Sequence, residues 1–260
     1  MRLAPSVWKR GARVKGWFFP FLVLLAMLMG YSAGAAQLAF DIETGLVMSG
    51  YNDVRIPGDT GTLFSLSEEL DLDPSSFFRV RILYELGGGH SLGLLVAPLR
   101  LEGGGTLNRP VLFQDQEFPP AVELQSRYRF DSYRLTYRFD FHRDRPLQAG
   151  LGFTAKVRDA SIRLKGDGRQ AEKKNTGLVP LVNFRLYWMM ANELGLLLEG
   201  DALAAPQGRA EDVLLALCFW PNRRIGMKAG FRILEGGADN DEVYTFALLH
   251  YLVAGAMFSF

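Results

Sequence analysis

The sequence predicts an all-β fold, a closed antiparallel transmembrane barrel of about ten strands, with eight and twelve as the bounds. Three observations carry that prediction. Apolar and polar residues alternate over strand-length segments, an N-terminal export signal is followed by no helical span, and the connections alternate between tight and long.

The N-terminus fixes the compartment. "MRLAPSVWKRGARVKGW" carries Arg2, Lys9, Arg10, Arg13 and Lys15 and no acid. The apolar run Phe18 to Gly30 follows, and Ala33 and Ala35 then stand in the small-x-small spacing that a signal peptidase reads. Residues 1-36 are therefore expected to be a cleaved signal peptide. The alternative, a helical membrane anchor, needs about 20 apolar residues, and the run is shorter. The leader holds five of the 29 basic residues and none of the 28 acids, so the remainder is mildly acidic and no nucleic-acid partner is expected. Cys218 is the single cysteine, which excludes an internal disulfide, and none stands at the cleavage site to take a lipid.

Residues 37-260 are expected to form one domain, the barrel. No later window holds 18 uninterrupted apolar residues, which leaves a soluble periplasmic fold or an outer-membrane barrel. Strands are expected at about 38-56, 76-87, 90-104, 121-142, 145-165, 173-190, 193-205, 210-221, 224-235 and 242-260. In "FRVRILYEL", Phe78, Val80, Ile82, Tyr84 and Leu86 alternate with Arg79, Arg81, Leu83 and Glu85. In "YRLTYRFDF", Tyr133, Leu135, Tyr137, Phe139 and Phe141 alternate with Arg134, Thr136, Arg138 and Asp140. A soluble sandwich reads the same locally, with its apolar face inward.

The connections separate the two. "GGGH", "HRDR", "MAN" and "PNRR" are tight, whereas "PGDTGTLFSLSEELDLDPSS", "GGTLNRPVLFQDQEFPP", "KGDGRQAE", "APQGR" and "GGADND" are longer or more polar. Short turns on one side, long loops on the other and an even strand count are the pattern of an outer-membrane barrel. Within the loops, Ser65 three residues before Glu68 forms a capping box that would start a short rim helix. "GDTGT" lacks the Lys-Ser/Thr of a phosphate loop and reads as a turn. "DLDPSS" and "ADNDE" cluster acids without the ligand spacing of a calcium loop, so neither a metal nor a cofactor is expected. The Gly103–Gly105 run is compatible with a flexible loop base.

The chain ends "LVAGAMFSF", with Phe260, Phe258, Ala256, Ala254 and Leu252 on one parity. This ending resembles the C-terminal signal by which bacterial outer-membrane barrels are recognised for assembly. In size and layout residues 37-260 resemble the small OmpA-, OmpW- and omptin-like barrels, with no signature that assigns one family. The resemblance implies a Gram-negative outer-membrane location, contact with outer-membrane lipids and the barrel-assembly machinery, and Phe258 and Phe260 in the periplasmic aromatic girdle.

The parity opposite to the lipid face gives the expected lumen: Asp41, Glu43, Arg79, Arg81, Glu85, Arg134, Arg138, Asp140, Lys156, Arg158, Arg185, Glu199, Asp201, Lys228 and Arg232. Both signs are present. Either these charges pair and plug a narrow barrel, or they line a small pore for solutes. Leu197, Leu214, Cys218, Leu249, Tyr251, Val253 and Met257 would add an apolar inner wall, compatible with strands packing on one another or with a crevice for a hydrophobic ligand.

Enzymes that resemble this size class place a histidine with an acid or serine near the outer rim. Here His90 and His142 fall in tight turns, and His250 takes the lipid-facing parity. The expected function is therefore a non-enzymatic envelope protein, structural or ligand-binding through loops or lumen. A narrow channel is the alternative, and a lipid-modifying or proteolytic rim enzyme stands behind it.

Overall fold

The computed structural model describes residues 37–260 apart from Asp144, Pro206 and Gln207; the expected leader, residues 1–36, lies outside the described residues. β1 (Gln37–Arg55) pairs antiparallel with β3 (Ser75–Gly87) on one side and with the last strand, β14 (Tyr244–Ser259), on the other. That second pairing closes the sheet, so no wall strand presents an open edge to lipid.

From β3 the wall continues through β4 (His90–Ala97) and β5 (Arg100–Thr106), which follow one another along β8 (Glu123–Phe141). It then runs through β9 (Leu147–Gly166), β10 (Arg169–Met189), β11 (Leu194–Ala205), β12 (Gly208–Phe219) and β13 (Ile225–Asp239). With β4 and β5 taken as one interrupted strand, the closed wall has ten strands. The interruption falls at Pro98, which has no N–H to give to a ladder.

Outward side chains form the expected apolar band. Leu135, Tyr137 and Phe139 are exposed, as are Phe153 and Leu178, each at 72%. The band ends where outward Asp131, Asp159 and Thr176 stand side by side in register. From Tyr133 to Phe141 is about 27 Å of strand, or about 21 Å of height at a tilt near 40°, close to the band of an outer-membrane barrel. Phe260 follows the final strand at the opposite end. Its N–H donates to Leu38 O at 2.8 Å, and its ring meets Phe40 edge-on at 6.0 Å.

Three expectations about the outer loops need correction. Only the first two connections are long: β9 turns into β10 through Asp167 and Gly168 alone, both at positive φ, so the polar residues read as a loop extend the hairpin wall. No rim helix starts at Ser65. Its hydroxyl does accept the Glu68 N–H at 3.3 Å, but Glu69 rather than Glu68 reaches back to the Ser65 N–H, at 2.8 Å, and the segment is a turn. The glycine run is not a flexible base. Gly103 and Gly105 face inward, and a Cβ on either would strike the backbone of Glu69–Asp71, so glycine lets the first loop lie directly on β5.

That close approach creates a lid. Phe64, Leu66 and Leu70 of the first loop, with β2 (Phe64–Ser65) paired to β1, meet Val111, Phe113 and Phe118 of the second loop's hairpin, β6 (Val111–Phe113) and β7 (Gln116–Phe118). All six are at most 2% exposed, and they join the same core as inward Leu101, Leu124 and Leu164 of the wall. Burying each such side chain contributes about 1.5–3 kcal/mol, which is why these loops fold into the mouth instead of trailing in water. Arg109 clamps the two loops through both guanidinium nitrogens on Glu69, at 2.6 and 3.0 Å. That contact holds the Glu69 carboxyl below its ordinary range, chiefly through the hydrogen bond from Arg109.

Candidate functional site

Below the lid, alternation directs one residue in two of each strand into the lumen, and the wall is narrow enough for these side chains to meet. Asp212 of β12 is the hub. Its carboxylate accepts from Arg79 at 3.0 Å, from Arg134 at 2.5 Å and from Arg232 at 2.5 Å. Arg232 also donates to both oxygens of Glu43 at 2.8 Å, and Lys228 donates to Glu43 at 2.6 Å and Asp41 at 2.7 Å. Arg81 stands between Glu199 at 2.6 Å and Asp41 at 3.6 Å. Asp201 accepts from Arg134 at 2.7 Å, Thr154 at 2.6 Å and Asn183 at 2.8 Å.

These contacts form one connected layer reaching β1, β3, β8, β9, β10, β11, β12 and β13. Arg79, Arg134, Lys228 and Arg232 are all at most 4% exposed. Buried ions are tolerated only when paired and hydrogen-bonded; here Asp41, Glu43, Asp201 and Asp212 each have at least two polar partners, and Glu199 is held by Arg81. Asp41, Glu43 and Glu199 also lie close enough together to suggest a metal cluster, but the Lys228 ammonium already stands between the first two.

Several expected members stand outside the layer. Glu85 is half-buried near the periplasmic end of β3 and pairs there with Arg143 at 2.8 Å. Arg138 bonds Asp140, two residues along the same strand, at 2.9 Å. Arg158 donates to Asn175 at 2.5 Å. Lys156 is buried over the Phe130 ring at 4.8 Å with no carboxylate in ion-pair range among the described residues. Arg185 likewise has none and lies 5.2 Å over Tyr187.

Asp212 itself is absent from the charge set expected from the sequence. It shares parity with Leu214 and Cys218, and that parity is the signal that finds it; the apolar look of its strand conceals it. The expected apolar inner wall is divided rather than continuous. Leu197, Cys218 and Met257 line a cavity at the periplasmic end, whereas Tyr251 packs edge-on against Phe77 at 5.0 Å elsewhere in the lumen.

The histidines lie away from the outer mouth. His90 Nδ1 is 2.7 Å from the Tyr137 hydroxyl at the start of β4, His142 follows β8 at the same end, and His250 stacks on outward Phe231 at 5.7 Å. The bulge that could have turned His250 inward is on β1, between Ser49 and Tyr51, and leaves the parity of β14 intact.

No family model and no curated protein matches this sequence. Solved structures do. The outer membrane protease OmpT from Escherichia coli superposes with a TM-score of 0.57 at 9% identity, over 86% of this chain and 97% of that one. Ail, the attachment invasion locus protein of Yersinia pestis, gives a TM-score of 0.38 at 12% identity over 86% and 99%, and the transport unit of the autotransporter AIDA-I from Escherichia coli 0.43 at 8% over 94% and 98%. At such identities the first of these speaks to the fold alone. A closed antiparallel wall, an apolar belt of membrane height and that likeness together make the protein a small, ten-stranded β-barrel of the bacterial outer membrane.

Proposed function

We propose that this protein is a non-conducting, non-enzymatic envelope barrel whose role is structural or ligand-binding. The single observation that carries the reading is the connected charge layer centred on Asp212, which joins eight wall strands across the lumen. Hydrated ions entering from either side would have to break contacts of 2.5–3.0 Å between buried partners. The packed lid stands above the layer as a second barrier. The non-enzymatic part of the reading is supported by the histidines, which sit at the periplasmic turns and on the lipid-facing surface instead of beside an acid at the outer mouth.

Reconstitution into planar bilayers tests the barrier. The expected record has no steady conductance steps at neutral pH, and regular, ion-selective steps from the purified barrel would replace this reading with that of a narrow channel. Incubation with peptide and lipid A substrates tests the rest, and turnover above that of a heat-denatured sample would overturn it.

A further inference from the structure

The lumen is closed at the outer end and across the middle but open below. Between the charge layer and the periplasmic turns lies a cavity of about 490 Å³, within the range of small-molecule sites. Its mouth is formed by Asn192, Glu193, Asn222 and Arg223, which belong to the β10–β11 and β12–β13 turns. Two features distinguish it from leftover space. Gly195 and Gly226 face inward, and a Cβ there would collide with the rings of Tyr187 and Trp220, so the glycines let both aromatics lie flat on the wall and keep the volume open. At its inner end Arg185 presents a guanidinium with no carboxylate in ion-pair range among the described residues. Its charged neighbours are Arg138, Asp140 and Glu199. Asp140 is bonded to Arg138 at 2.9 Å and Glu199 to Arg81 at 2.6 Å, and Arg138 repels.

An uncompensated cation at the end of a cavity with one apolar wall selects for a particular chemistry. We propose that the periplasmic cavity binds a small amphiphilic carboxylate, its head on Arg185 and its alkyl tail along Leu197, Cys218, Met257 and Trp220 toward the mouth. A guanidinium matches a carboxylate with two parallel hydrogen bonds, strengthened by the low dielectric around it. The tail removes apolar wall from water, which a bare anion does not do. The inference deepens the ligand-binding side of the proposed function and rests on the cup being open only to the periplasm. Its test reads binding and not conductance, so channel activity would remove the cup while a failed binding test would leave the barrier standing.

The test uses the barrel in lipid nanodiscs with Trp188→Phe, because Trp188 faces lipid and Trp220 is then the reporter within 37–260. 8-Bromooctanoate is titrated at neutral pH while quenching of Trp220 is followed. Saturable quenching is expected, at least tenfold weaker with 8-bromo-1-octanol, which has the tail without the charge, and displaced by octanoate but not by acetate. Arg185→Gln should weaken the carboxylate at least tenfold and leave the alcohol unchanged, while Arg185→Lys retains most binding. If Arg185→Gln does not fold, Met257→Phe, which fills the cavity and keeps the cation, should abolish saturable quenching. Linear quenching alike for both probes, or saturable quenching untouched by Arg185→Gln or Met257→Phe, would overturn the proposal in favour of partition into the bilayer.

Discussion

Asp212→Asn removes one negative charge where three guanidinium groups converge, at 2.5, 2.5 and 3.0 Å. The loss is bounded by what each arginine keeps. Arg134 retains Asp201 at 2.7 Å, Arg232 retains Glu43 at 2.8 Å, and Arg79 retains Glu43 at 3.3 Å. Each arginine keeps a carboxylate, but the layer is left with one uncompensated buried positive charge, so the cost is that of one broken buried pair, about 3–5 kcal/mol, and not three times that. The new amide also turns an NH2 donor toward guanidinium donors, which holds the estimate at the upper end of that range. Arg127→Ala serves as the comparison. Its pair with Glu102 at 2.7 Å is about half exposed on both sides, and exposed pairs contribute roughly 0.2–1 kcal/mol. Arg109 is unsuitable for that purpose, because it clamps the lid. Urea unfolding in lipid, read by tryptophan fluorescence and by the gel shift between folded and unfolded barrel, gives both values. Equal midpoints for Asp212→Asn and Arg127→Ala would refute the reasoning, because they would mean that water already solvates the layer.

Leu135→Arg places a charge on the lipid face and should cost about 2–4 kcal/mol if the site is near the midplane, while Glu117→Gln on the second loop should be neutral in the same unfolding assay. Deleting Phe260 removes the ring against Phe40 and the N–H to Leu38 O, and should lower the yield of folded barrel in the outer membrane while export continues, as quantified by cell fractionation. The Glu69–Arg109 clamp carries a sign: a carboxyl held low in the folded state stabilises the lid above the ordinary carboxylate pKa, and the stabilisation disappears as pH falls through the depressed folded value. Hydrogen-exchange protection of Ser65–Leu70 should therefore drop in strong acid, and Arg109→Gln should move that drop to higher pH; an unchanged profile would show that the clamp does not hold the lid.

Alternation, read with the export signal and the unequal connections, determined the wall. In "YRLTYRFDF" a period of two with aromatics on one parity and arginines on the other leaves a single arrangement once backbone groups must all be paired in lipid, and the strands at both ends of the chain follow the same rule. It equally put Asp41, Glu43, Arg79, Arg134 and Lys228 on the inner face. Parity is a local property, however, and it carries no height along the barrel axis and no partner across the lumen. Only closure brought β12 opposite β3 and β8, so that Asp212, the one charged residue on the inward parity of β12, became the acid on which Arg79 and Arg134 meet Arg232 of the neighbouring β13. The same long-range geometry left Glu85 half-buried and paired with Arg143, and Arg185 with no carboxylate in ion-pair range among the described residues, although their strand patterns look no different. The lid was illegible for a related reason. Gly103 and Gly105 read as a flexible run until the backbone of Glu69–Asp71, more than thirty residues earlier, is laid against them. Side-chain period is set by covalent geometry and can be read along the chain, whereas ion pairing and close backbone approach depend on which distant strands the closed hydrogen-bond ladder makes neighbours.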